Sequence, residues 1–60
     1  MNNVDELMIA AYNMGYDQDS RDELDKYCDH MNVSDDLRVK MVEKFEEGYD
    51  DGWQVISNCI

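Results

Sequence analysis

Cys28, Asp29 and His30 are the one place in this 60-residue chain where a thiol, a carboxylate and an imidazole stand together. Such a group can hold zinc or pair a thiolate with a base. The spacing defeats both uses. Residues two apart on a helix point to different faces, so Cys28 and His30 cannot grip one ion without unwinding the backbone. Cys59, far along the chain, is the other thiol that would have to complete a set. The expected arrangement is a buried Cys28 and a surface His30 near a helix end. Asp17-Gln18-Asp19 invites comparison with a calcium loop. There, position five would fall on Arg21, the obligatory glycine on Asp22 and the closing glutamate on Cys28.

Other catalytic constellations are missing from the sequence as well. The single histidine has no serine or cysteine in register, and no glycine-rich phosphate loop is present. Carboxylates are plentiful, but none sits in an apolar run that would raise its pKa. The chain is therefore expected not to be an enzyme and to use no metal or cofactor.

What remains is charge. Fifteen Asp and Glu stand against five Lys and Arg, a formal net charge of −10. Such a balance repels nucleic acid and anionic membranes and attracts basic protein surfaces. Direct nucleic-acid and membrane partners are accordingly not expected. Met1-Asn2-Asn3-Val4-Asp5-Glu6 lacks the basic region and apolar run of a signal peptide. No stretch approaches the roughly 20 apolar residues of a membrane span, and Ser57-Asn58-Cys59-Ile60 does not fit a prenylation box. A cytoplasmic location follows as the expectation, with Cys28 and Cys59 as free thiols.

The elements that position these charges follow from caps and periodicity. Residues 1–60 make one small domain, which at this size buries only about 60% of the surface its unfolded chain exposes. A homodimer that supplies missing core stays open. Asn3, with Glu6 three residues on, opens a first helix carrying Val4, Leu7, Met8, Ala11 and Gly15 on one face and ending near Tyr16. Ser20 with Glu23 opens a second, whose apolar stripe is Leu24, Tyr27, Cys28 and Met31, followed by a break at Asn32 and Val33. Ser34 opens a third, with a stripe of Leu37, Met41, Phe45, Tyr49, Trp53, Ile56 and Ile60 and with Val42 beside it. Unbroken, it would run about 35 Å at ~1.5 Å per residue. Gly48 and Gly52 each weaken it by roughly 1 kcal/mol relative to Ala, so whether it bends or stops near Gly52 stays open. The fold class is all-α: a small three-helix domain with a long C-terminal helix.

Ala11-Tyr12-Asn13-Met14-Gly15-Tyr16 and Gly48-Tyr49-Asp50-Asp51-Gly52-Trp53 echo each other as small, Tyr, Asn or Asp, any residue, Gly, aromatic. Small residues four apart let another backbone come close, so the first and third helices are expected to cross here. Ala11, Gly15 and Tyr16, together with Phe45, Gly48 and Tyr49, resemble two elements of the ribosome modulation factor family and its small phage-encoded relatives. That resemblance implies RNA binding through a basic surface. This chain is strongly acidic, and no function is carried over.

The candidate binding residues are Asp22, Asp25 and Asp29 on the second helix, and Glu43, Glu46, Glu47 and Asp50 opposite the apolar stripe of the third, with Asp51 at the edge. Lys40 can pair with Asp36, and Arg21 and Lys26 can offset some charge on the second helix, leaving the C-terminal half largely uncompensated. Carboxylates one turn apart lie about 5–6 Å apart along the axis, close to the spacing of phosphates along a strand. Like-charge rows destabilise a helix by a few tenths of a kcal/mol per pair, which points to a use, while a solvated face that keeps a small protein soluble stays open beside it. The expected function is a small inhibitor, of a kind that would suit a phage or mobile element. It would imitate nucleic acid and block the basic groove of a nuclease, restriction, recombination or regulatory protein. The alternative is an interaction module or homodimeric adaptor that uses an aromatic and glycine face, anchored by Tyr12, Tyr16, Tyr49, Trp53 and Ile56.

Overall fold

The computed structural model describes residues 3–58. Met1, Asn2, Cys59 and Ile60 lie outside the described residues, and with them the end of the expected third stripe and the second thiol. The described residues form three helices, α1 (Val4–Tyr16), α2 (Arg21–His30) and α3 (Asp35–Asn58), with no strand among them. The all-α fold with a long final helix is therefore as the periodicity dictates. The 24 residues of α3 span about 36 Å at 1.5 Å per residue, and the molecule's long dimension is 41 Å. That helix is the spine on which the other two lie.

Each helix starts where a short polar side chain can satisfy an orphan backbone donor. Asn3 accepts from the Asp5 amide at 2.9 Å, Ser20 from Glu23 at 3.3 Å and Ser34 from Leu37 at 3.4 Å. The first two helices end the same way. Gln18 (φ 64°) and Asn32 (φ 54°) adopt the left-handed conformation. The amides of Gln18 and Asp19 bond back to Gly15 and Met14, and those of Asn32 and Val33 to Asp29 and Cys28. Both are the paired closing bonds of a Schellman turn. Val33, the residue after the second turn, is buried in the core beside Cys28, as such turns favour.

α1 and α3 meet through glycine. A Cβ placed on Gly48 would strike the backbone of Tyr12 and Tyr16, and one on Gly52 would strike Tyr16 and the Gln18 side chain. One on Gly15 would lie 2.7 Å from the Tyr49 nitrogen. Rising numbers on α1 meet rising numbers on α3, so the two helices run parallel, with α2 carrying the chain back between them. The expected crossing is thus present. α3 does not stop at Gly52: it runs through both glycines, which face α1 and are used for contact.

The core consists of Leu7, Ala11, Leu24, Cys28, Val33, Met41 and Phe45. On α3 the stripe departs from its expected course after Phe45. Tyr49, Trp53 and Ile56 are exposed (39, 50 and 45%), while Gly48 and Gly52 are buried. The reason is geometric. A strict four-residue step gains about 40° per repeat on a helix of 3.6 residues per turn, so the aromatic row winds off the contact face. Beyond Gly52, the last turns of α3 extend past the end of α1.

Candidate functional site

No charged side chain is buried among the described residues. The acidic groups face outward, held there by the apolar faces of their helices. On α3, Glu43, Glu46, Glu47 and Asp50 are exposed; Glu47 stands beside α1, lining a shallow pocket with Met8, Ile9 and Tyr12, and the other three lie farther round the helix from the glycine contact. The four follow each other at i, i+3, i+4 and i+7, which is one continuous ridge. On α2, Asp22, Asp25 and Asp29 share a flank at i, i+3 and i+7; Asp25 is half-buried and the other two are exposed.

Three cations touch this array. Arg21 reaches Asp25 at 3.7 Å, Arg38 reaches Asp29 at 2.7 Å and Lys44 reaches Glu47 at 3.4 Å. The expected Lys40–Asp36 pair does not form, and Lys26 makes no ion pair among the described residues. Asp29 instead finds a partner on α3, and this Arg38 contact straps the end of α2 to the spine. The hydrogen bond from Arg38 to Asp29 holds the guanidinium above its ordinary pKa, against the opposing effect of desolvation. Asp22, Glu43, Glu46 and Asp50 have no cation within 4.0 Å among the described residues. Exposed pairs of this kind are worth about 0–1 kcal/mol, so they tether the ridge weakly and leave its field largely intact.

Asp51 is different. It is half-buried at the α1 side and accepts a 2.5 Å hydrogen bond from the Tyr12 hydroxyl. That bond, followed by desolvation and by the charges of Asp51 and Glu47, pushes Tyr12 up to about 12. Asp51 thus locks α1 to α3, whereas Glu43, Glu46, Glu47 and Asp50 are exposed to solvent.

Where the turn into α2 meets α3 lies an open groove of about 660 Å³. Residues 18–21, the turn into α2, form one bank; Phe45, Glu46, Tyr49 and Asp50 of α3 form the other. The Phe45 and Tyr49 rings stack with centroids 6.3 Å apart and planes at 27°. Gln18 Nε2 donates to the carbonyls of Tyr49 (2.9 Å) and Gly15 (3.2 Å), which fixes the turn against α3. Asp17-Gln18-Asp19 is therefore the stop of α1.

Cys28 is buried with its sulfur 4.0 Å from that of Met41, and burial is the main effect pushing its thiol upward. His30 is exposed in the last turn of α2. The two face apart, as the sequence spacing requires. Among the described residues no three His, Cys, Asp or Glu side chains are grouped to hold a metal, and no helix is long and apolar enough to cross a membrane.

The groove, the Arg38–Asp29 strap and the Tyr12–Asp51 lock are not visible in the sequence as motifs. Each joins residues far apart along the chain or at a turn, where helical periodicity says nothing. One signal did exist for the lock: Tyr12 and Asp51 both belong to the repeated glycine-aromatic stretches that predict the crossing. No protein-family model, curated protein or solved structure matches this chain.

Proposed function

We propose that this chain is an inhibitory binding protein that presents carboxylates in place of phosphates to a basic nucleic-acid-binding surface. The observation that carries this reading is the outward ridge of Glu43, Glu46, Glu47 and Asp50, three of which have no cationic neighbour within 4.0 Å among the described residues. Successive turns place these groups about 5–6 Å apart on a rigid rod. A rigid, pre-ordered row of like charge loses little entropy on docking, and its long-range field speeds encounter at low salt. Asp22, Asp25 and Asp29 on α2 add to the same negative field, the last two in part offset by Arg21 and Arg38.

The test is affinity capture from a host lysate, washed with rising salt and then with duplex DNA. Nucleic-acid-binding proteins should be retained, released by salt and displaced by the duplex. The triple variant Glu43→Lys, Glu47→Lys, Asp50→Lys should keep the helical circular-dichroism spectrum and lose the capture. A partner that survives high salt and ignores DNA contradicts the proposal.

A second reading draws on a separate observation. Trp53, Val55 and Ile56 are all exposed in the uncharged last turns of α3. Aromatic side chains of this kind anchor apolar interfaces. The glycines of that reading are not available, since all three are occupied by the α1–α3 contact. Sedimentation at two salt concentrations separates the readings, because apolar association persists or strengthens as salt rises.

A further inference from the structure

We infer that the groove between the α1–α2 turn and α3 is an anchor pocket for an arginine side chain of the partner. The inference rests on the nucleic-acid-mimicking reading above and gives its surface a point of register. A carboxylate ridge alone attracts any cation and fixes no orientation. The groove adds what a planar guanidinium recognises: an aromatic wall with carboxylates at its edge. Tyr49 is the exposed member of the stacked Phe45–Tyr49 pair. Glu46 and Asp50, one turn apart, form the outer lip, and Asp19 stands on the opposite bank.

Three carboxylates against the single Arg21 leave the lining at a net −2 (three negative charges, one positive). Arg21 is itself turned toward Asp25, 3.7 Å away, which reduces its opposition to a cationic guest. The volume of about 660 Å³ admits a long side chain with its stem. Arginine is favoured over lysine because its flat face stacks on a ring while its edge donates to two carboxylates at once. Basic nucleic-acid grooves are rich in arginine directed at phosphates, so the guest is of the kind such a partner carries.

The test uses Nα-acetyl-arginine-N-methylamide as probe, with the lysine analogue as control, titrated into the full chain and followed by amide shifts in two-dimensional NMR. The arginine probe should give saturable shifts concentrated at residues 18–21 and 45–50, and should bind at least about threefold more tightly than lysine, as a stacking advantage of under about 1 kcal/mol allows. Glu46→Gln with Asp50→Asn should weaken it about tenfold, and Tyr49→Leu about fivefold. Asp35→Asn with Asp36→Asn, exposed in the first turn of α3 and about 15 Å from Glu46 along the helix, should change it less than about twofold, because exposed charges beyond a Debye length are screened. Arg21→Gln should strengthen it. Shifts spread over all acidic positions, equal binding of both probes, or equal loss in the two carboxylate double variants would overturn the pocket. Those results leave the mimicry reading standing if charge reversal on the ridge still abolishes capture. A pocket that passes every arm in a chain whose captured proteins ignore DNA supports the pocket and removes the mimicry.

Discussion

The two sides on which α3 is packed are built by opposite means. Toward α1 it presents Gly48 and Gly52, with Gly15 facing back, and the backbones come so close that no side chain fits between them. Toward α2 the contact runs through large side chains: Leu24, Cys28, Met41 and Phe45 hold the helices apart. Where that spacer layer stops, near the turn into α2, the groove opens. Small residues thus give this domain its rigidity and large ones give it its concavity. A 60-residue chain cannot bury enough surface to be generous with both.

Breaking the glycine side should have the largest consequence. In an open helix Gly48→Ala would stabilise by about 1 kcal/mol. At this crossing it should cost about 3 kcal/mol through overpacking against the Tyr12 and Tyr16 backbone. Stability of the whole domain, at about 0.05–0.15 kcal/mol per residue, is only about 3–9 kcal/mol. Thermal melting should therefore show Gly48→Ala unfolding about 12–24 °C below the parent, at about 4–8 °C per kcal/mol, and a variant more stable than the parent would refute the crossing.

On the spacer side, Leu24→Ala should cost about 2–4 kcal/mol, the usual range for a buried leucine, read as a lower denaturant midpoint. A smaller loss would mean that α2 is loosely held and that the groove is not a fixed shape. The Gln18 bonds to the Gly15 and Tyr49 carbonyls argue for a fixed one.

The Tyr12–Asp51 lock has a signature in pH. Tyr12 ionises at about 12 in the folded chain against an ordinary 10.0. The unfolded state therefore gives up this proton first, and stability falls as pH rises. The contribution is complete below pH 10 and lost between about 10 and about 12. Across that window the denaturation midpoint of the parent should drop toward that of Tyr12→Phe. Tyrosinate absorbance should show one of the four tyrosines titrating last. Equal slopes in parent and variant would place the lock elsewhere.

The smallest effect expected is at the helix stops. Asn32→Gly relieves a left-handed residue and should stabilise by roughly 0.5 kcal/mol, visible as a small rise in melting temperature. Gln18→Gly relieves the same conformation but gives up two side-chain bonds to the Gly15 and Tyr49 carbonyls, so it should not gain. If both gained equally, the turn would not be pinned to α3.

These regions were unequally legible in the sequence. Helix starts at Asn3, Ser20 and Ser34 follow from cap chemistry, which is local, and the α1–α3 crossing follows from the repeated small-residue spacing. The aromatic row of α3 misleads because Tyr49 and Trp53 continue a four-residue step that the helix itself does not keep. Gly48 and Gly52 read as weak points when helix propensity is considered alone; a partner backbone reverses their meaning. Of the candidate surface, the outward setting of Glu43, Glu46, Glu47 and Asp50 is legible from periodicity. The withdrawal of Asp51 to Tyr12 and of Asp29 to Arg38 is not, since both depend on how separate helices are docked.

The most direct measurement is displacement of a labelled DNA duplex from a captured partner, followed by fluorescence anisotropy between about 50 and about 200 mM salt. The acidic ridge should release the duplex competitively, with an affinity that falls steeply across this range and vanishes in the Glu43→Lys, Glu47→Lys, Asp50→Lys variant. Binding that leaves the duplex in place, or that is indifferent to salt and to those three reversals, would contradict the assignment of the ridge as a stand-in for nucleic acid.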